Sequence, residues 1–281
     1  MVTGVHRKGG GPLLAFGRVI SAAMEPVYTP IIGLALTVMK AMSWKVLATG
    51  VEHVPRTGPA VLATNHVGYL DFVFVGAAAR HQRRLVRFMA KREVFDHKIS
   101  GPLMRGMRHV PVDRFGRAAD AINAAVAAMR RGEVIGMFPE ATISRSFIPR
   151  EGKSGAARMA MEAGAPLVPG AVWGSQRILT KDRPKNYQRN IPITVDFGSP
   201  IDYEPDEDPV DVTKRLMVSI GELVDRAQRA YPVTPASDDD RWWQPAHLGG
   251  NAPTAEEADA MAARDRAARA ERRKRELDEP D

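Results

Sequence analysis

The sequence has no cysteine, which excludes disulfides, thiolate zinc sites and a cysteine nucleophile and suits a reducing cytoplasm. It has no uninterrupted apolar run of the roughly 18 residues expected of a membrane-spanning helix. Its most apolar stretch, Leu13 to Trp44, is broken by Arg18, Glu25, Pro26, Pro30 and Lys40. That stretch also lacks the compact apolar segment and small-residue cleavage site of a secretory signal. Cys2His2 spacing, a Gly-rich phosphate loop and a block of base-stacking aromatics are all missing, so no nucleic-acid partner is expected. What is present is an excess of base: 40 Lys and Arg against 33 Asp and Glu, a net charge of +7 over 281 residues. Such a balance favours an anionic partner, such as a membrane surface carrying anionic lipids or a phosphorylated substrate. The length allows one substantial domain with appendages.

Apolar, β-rich runs recur near residues 60–64, 85–90, 109–112, 134–138, 167–173 and 191–197, and helical patterns separate several of them. An Ala-rich helix is expected over 117–131, closed by Gly132, and a second over 154–163, closed by Gly164. A longer amphipathic helix is expected over 210–230. This alternation predicts the α/β class, with a mainly parallel or mixed sheet flanked by helices. Three regions follow: an N-terminal tail and helical pair over 1–49, an α/β domain over 50–232, and a linker with a charged tail over 233–281. The helical pair, broken near Pro26 to Pro30, either caps the core or lies in a membrane interface. Trp242 and Trp243 are expected to pack back on the domain, and the Ala-, Glu- and Arg-rich tail to be a solvated helix or disordered.

The chemistry lies where apolar runs end. After Ala60–Ala63 comes Asn65-His66, with Asp71 opening the next helical pattern. On a continuous helix, side chains five apart diverge by about 140°. His66 and Asp71 can therefore meet only if His66 sits in the strand-to-helix turn and Asp71 in the first helical turn. There the carboxylate fixes one imidazole tautomer and leaves the other nitrogen to accept a proton. This is the base and orienter of a catalytic triad with no Ser or Cys nucleophile beside it, so the nucleophile would be a substrate hydroxyl. Two further strand ends carry polar residues: His109-Val-Pro-Val-Asp-Arg114, and Phe138-Pro-Glu-Ala-Thr-Ile-Ser-Arg-Ser146. In open α/β sheets, ligands gather beyond such carboxyl ends.

Together these segments resemble the glycerolipid acyltransferase family, specifically the 1-acylglycerol-3-phosphate acyltransferases. The first family motif, Asn-His-x4-Asp, is matched in full at Asn65, His66 and Asp71. The second, a strand ending in arginine, is matched by Val110 to Arg114. The third, Phe-Pro-Glu-Gly-Thr-Arg-Ser, is matched in part: Phe138, Pro139, Glu140 and Thr142 stand, but Ala141 replaces the glycine, and Ile143 and Ser144 precede Arg145. The fourth, an apolar strand ending near a proline, is matched at Pro169, and Lys153 lies in a segment like the family's following helix. The resemblance covers roughly residues 50–200, about a domain's length.

The resemblance implies transfer of an acyl chain from a thioester of CoA or acyl carrier protein to the free hydroxyl of lysophosphatidate, giving phosphatidate. It needs no cofactor and no metal, and it implies a protein held peripherally on the cytoplasmic side of the membrane. His66 would be the base and Asp71 its orienter. Backbone N–H groups after His66 would hold the oxyanion. Arg114 and Arg145 would grip the phosphate, helped by Thr142 or Ser144, with Glu140 on a glycerol hydroxyl or orienting an arginine. Asn65 would satisfy the turn and Gly68 would give it room. The rival readings are an acyltransferase for another acceptor (glycerol 3-phosphate, another lysophospholipid or a glycolipid) and a non-catalytic lipid-binding scaffold.

Overall fold

The computed structural model describes residues 25–113 and 116–278. Among them, seven strands form one sheet, in the order β1 (Lys45–Thr49), β7 (Pro192–Phe197), β6 (Leu167–Trp173), β2 (Ala60–Thr64), β5 (Val134–Met137), β3 (Val86–Lys91) and β4 (Val110–Val112). The five strands from β6 to β4 run parallel. β7 pairs antiparallel with β6 and parallel with β1, so these two strands run the other way. The fold is α/β with a mainly parallel sheet, as the alternation of patterns predicts.

Both faces of the sheet are covered, which is why β2 is apolar along its length rather than alternating. On one face Leu62, Val168 and Val172 pack with Phe74 and Val75 of α2 (Asp71–Ala79) and with Trp44, Trp173 and Trp243. On the other, Val61, Ala63, Leu167 and Ala171 meet α5 (Ala118–Arg130), α6 (Gly155–Ala163) and α7 (Pro209–Arg229) through Val126, Met129, Met159, Leu216 and Ile220. Each large aliphatic side chain buried this way contributes about 1.5–3 kcal/mol. α7 starts where it does because Asp208 accepts from Val210 N at its N-cap and Pro209 occupies the first turn. Its buried stripe (Val212, Leu216, Ile220, Leu223, Val224, Ala227) has the helical period.

Several expectations change. Residues 45–49, assigned to the N-terminal appendage, form edge strand β1 and belong to the sheet. β6 spans the expected run 167–173, so Pro169, where the family's fourth motif would end its strand, lies inside it. The expected helical pair reduces, among the described residues, to one helix, α1 (Tyr28–Ala41); residues 1–24 lie outside them. α1 packs Tyr28 and Ile32 against Met104 and Met107 and leaves Leu34 and Val38 exposed, and it is not seen as a membrane-associated pair. Two short helices, α3 (Arg92–Asp96) and α4 (Ser100–Gly106), fill a segment in which no element was expected. The C-terminal region folds back: Trp243 is buried against Tyr231 and under Arg177, and α8 (Ala255–Asp278) lays Ala258 on the domain.

Candidate active site

β2 delivers Asn65 and His66 beyond the carboxyl ends of the parallel strands. Asn65 behaves as a length of backbone: its side chain donates to Val172 O at 3.1 Å and accepts from Val172 N at 2.7 Å, tying the turn to β6. His66 follows in the turn and Asp71 is the first residue of α2, so the two meet, with Nδ1 to Oδ2 at 2.8 Å. The same carboxylate oxygen accepts Val67 N at 2.8 Å and Gly68 N at 2.9 Å, and Oδ1 accepts the Ser175 hydroxyl. Asp71 is wholly buried, whereas the His66 side chain is 17% exposed. Because Asp71 accepts at Nδ1, the ring proton is assigned there and the Nε2 lone pair is left free. Phe138, just past β5, stacks on the imidazole with centroids 4.1 Å apart and planes at 12°. A Cβ on Gly68 would lie 3.0 Å from Ser175 Oγ and 3.1 Å from Leu179 O, so this turn admits only glycine without a shift.

The third motif wraps this turn. Glu140 accepts His66 N at 2.9 Å through one oxygen and Arg150 N at 3.0 Å through the other. Burial pushes its carboxyl up to about 8, against the downward pull of those two N–H donors. Glu140 is thus a buried clasp between two loops, rather than a group presented to a glycerol hydroxyl. Ser144 is also buried: its N–H donates to His66 O at 2.8 Å and its hydroxyl to Ile148 O at 2.8 Å, so it is not offered to a phosphate. Ala141 takes a left-handed φ of 56°, the conformation that explains a glycine at this place in the family pattern. Thr142 is half-buried beside it, and Ile143, where the pattern has arginine, is buried. Pro139 is buried and accepts Lys153 N at 3.0 Å, while Lys153 itself is exposed. Pro169 lies in β6, paired in register with Ala63.

Two expectations about ligand groups change. The N–H groups of Val67 and Gly68, expected to meet an oxyanion, are spent on Asp71, and Tyr69 N donates to Leu179 O at 2.9 Å. Arg145 is not open: it pairs with Asp182 and, at 3.0 Å, with Asp265 of α8. Burial lowers its affinity for the proton, but the bonds to Asp182 and Asp265 outweigh this and hold the guanidinium charged. Lys181 reaches the same Asp265 oxygen at 2.8 Å, and Arg150 reaches Asp259 at 2.5 Å. Arg114 lies outside the described residues.

Sequence reasoning missed Ser175, Thr180 and Lys181. Ser175 follows a buried strand and holds Asp71, while Thr180 donates to Val67 O at 2.6 Å. Their sequence signal was a polar cluster after the apolar run of β6. His109, at the start of the second motif, does not line the site: it is buried, and its Nδ1 accepts Phe88 N at 2.9 Å.

Comparison with known proteins bears on this geometry. The sequence profile of the family described as Acyltransferase matches residues 45–173, from β1 to the end of β6. A Bacillus subtilis protein named 1-acyl-sn-glycerol-3-phosphate acyltransferase is 30% identical over 140 residues, spanning 50% of this chain and 68% of that protein. The chain belongs to the glycerolipid acyltransferase family. A Borreliella burgdorferi relative of the same name is 27% identical over 139 residues, 49% of this chain and 55% of its own length. The fold agrees with the crystal structure of the 1-acyl-sn-glycerophosphate acyltransferase PlsC from Thermotoga maritima, with a TM-score of 0.60 at 19% identity over 73% of this chain and 81% of that one. The family match thus contains His66, Asp71 and the third motif, and leaves Lys181, Asp182, α7 and α8 of this acyltransferase outside it.

Proposed function

We propose that this acyltransferase moves an acyl chain from a CoA or acyl-carrier-protein thioester to the free hydroxyl of 1-acylglycerol 3-phosphate, giving phosphatidate. The observation that carries the reading is the His66–Asp71 pair at 2.8 Å, with no nucleophile among the described residues bonded to the imidazole. Nε2 of His66 takes the proton of the acceptor hydroxyl as its oxygen attacks the thioester carbonyl. The tetrahedral intermediate then expels the thiolate, which takes up a proton to become the thiol, and Asp71 stabilises the imidazolium meanwhile. Arg114, Arg145 and Thr142 are assigned to the acceptor phosphate. Glu140, Ser144, Asn65, Gly68, Phe138, Pro139, Lys153 and Pro169 are given supporting roles in shaping the loops around His66. The names carried by relatives support the acceptor.

Work at the cytoplasmic face of a membrane, as a peripheral protein, is part of the proposal. It is supported by exposed apolar side chains on neighbouring elements: Leu34 and Val38 on α1, and Ile99 and Leu103 at α4. No described helix is long and apolar enough to cross a membrane. One observation favours a second acceptor, such as glycerol 3-phosphate or another lysophospholipid: Ile143, buried, stands where the family pattern has an arginine.

The test is thiol release from palmitoyl-CoA with lysophosphatidate or glycerol 3-phosphate as acceptor, for wild type and His66→Ala. A thiol reagent reads only the product, because the chain has no cysteine. Release that requires lysophosphatidate and His66 is expected. Release supported only by glycerol 3-phosphate would move the reaction to that acceptor, and release that survives His66→Ala would overturn the mechanism.

A further inference from the structure

Two cations are delivered to the edges of the His66 turn by two separate loops. Ser144, one residue before Arg145, donates its N–H to His66 O at 2.8 Å. Thr180, one residue before Lys181, donates its hydroxyl to Val67 O at 2.6 Å. Arg145 and Lys181 then converge on a single atom, Oδ2 of Asp265, at 3.0 and 2.8 Å. A phosphate oxygen shared between a guanidinium and an ammonium would be held in the same way. With Ile143 apolar and buried, the third motif supplies no cation at the place where the family pattern has one, and Arg145 is the cation that follows.

The present occupant comes from a peripheral element. Asp265 belongs to α8, outside the family match, and among the described side chains of α8 the one fully buried apolar group is Ala258, with Met261 half-buried. Its first half carries Glu256, Glu257, Asp259 and Asp265 against two bases, Arg264 and Arg266, and it meets the domain's cations through Arg150–Asp259 as well as through Asp265. The Asp265 side chain is 34% exposed, against 9% for Arg145 and 17% for Lys181, so the carboxylate is the member of this trio that solvent and a competing anion can reach.

We propose that Arg145 and Lys181 form the phosphate subsite for the acceptor, and that Asp265 of α8 occupies it until a phosphate monoester displaces the helix. The rest of that acceptor's identity depends on the acyl-transfer reading above; the subsite does not. Asp182 stays on Arg145 as its orienter, and a phosphate replaces one shared carboxylate oxygen with several.

The experiment is hydrogen–deuterium exchange on the full chain, with glycerol 3-phosphate as probe and glycerol as the neutral control, paired with calorimetric binding of glycerol 3-phosphate. Exchange over 255–278 is expected to rise with glycerol 3-phosphate and not with glycerol. Asp265→Asn, a change at a partly exposed position, is expected to raise that exchange without ligand and to tighten binding about threefold to tenfold, while Lys181→Ala weakens it about tenfold. Phosphate binding that leaves α8 exchange unchanged, with equal affinity in wild type and Asp265→Asn, would overturn the proposal. So would the absence of phosphate binding in both proteins. Thiol release separates the two readings. If it depends on His66 while α8 stays silent, only the subsite falls; if α8 responds to phosphate but no acceptor supports release, only the acyl-transfer reading falls.

Discussion

The His66 turn and the α8 contact are both networks of charged and polar groups, yet they are built to opposite specifications. In the turn, Asp71 is wholly buried and receives His66, Val67, Gly68 and Ser175, and the flanking loops are clasped by Glu140 and Asn65. At α8, partly exposed carboxylates meet cations across a surface with little apolar burial beneath it. Buried and fully bonded groups are costly to move, whereas an ion pair with one partner open to solvent holds less firmly. The base that would do the chemistry is therefore held by the core of the fold. The cations suited to recognising a ligand are held by contacts that a ligand can replace.

The sharpest way to break this comparison is to remove the two halves of the His66–Asp71 pair separately. His66→Ala is expected to cut thiol release by about 10²–10⁴-fold and leave the melting temperature nearly unchanged. Asp71→Ala is expected to match that loss and in addition to cost at least about 3 kcal/mol, because several buried donors lose their acceptor. Equal stability of the two variants in urea titrations would show that the turn is not the rigid half.

A pH series sharpens the same contrast. His109 is buried behind the Phe88 ring that lies 6.1 Å from Phe138, and burial lowers its pKa to about 4, with the neighbouring Arg87 charge adding to the effect. A depressed histidine contributes stability that is complete above the unfolded pKa of 6.5 and is lost as pH falls towards 4. Roughly 3 kcal/mol is expected to disappear across that window in wild type, and much less in His109→Asn, whose side-chain oxygen can still accept Phe88 N. Parallel unfolding curves for the two proteins between pH 6.5 and 4 would refute this.

A smaller effect is expected at Ala141, which holds a left-handed backbone without being glycine. Ala141→Gly should stabilise the chain by about 0.5–1 kcal/mol in chemical denaturation. A loss of stability would mean that the loop does not keep this conformation. The smallest change belongs to the other half of the comparison: Asp265→Asn should shift unfolding by no more than about 0.5 kcal/mol. A loss several times larger would make α8 part of the rigid frame.

Much of this was legible in the residues, and unevenly so. Six of the seven strands announced themselves as apolar, β-rich runs, most plainly β2 and β6, which are covered on both faces and buried along their whole length. β1 did not, because it is an edge strand with alternating exposure and reads Lys45-Val-Leu-Ala-Thr49. The meeting of His66 with Asp71 followed from the spacing once His66 was placed in a strand-to-helix turn, the arrangement the structure has. The third motif misled: Glu140 and Ser144 look like ligand groups in a line of sequence, yet both are turned inward to hold His66 backbone atoms. Ser175 could not have been singled out, being 104 residues from the carboxylate it serves.

The linear chain recorded the α/β class, most of the strands that carry the site, the family and the pairing of His66 with Asp71. These depend on local periodicity and short spacings, which a linear chain records directly. Tertiary structure decided which polar groups face a ligand and which are consumed by the fold, and that α8 comes to rest on Arg145 and Lys181. Those outcomes depend on hydrogen bonds and ion pairs between segments distant in the chain, whose partners are chosen only when the sheet and its loops have assembled.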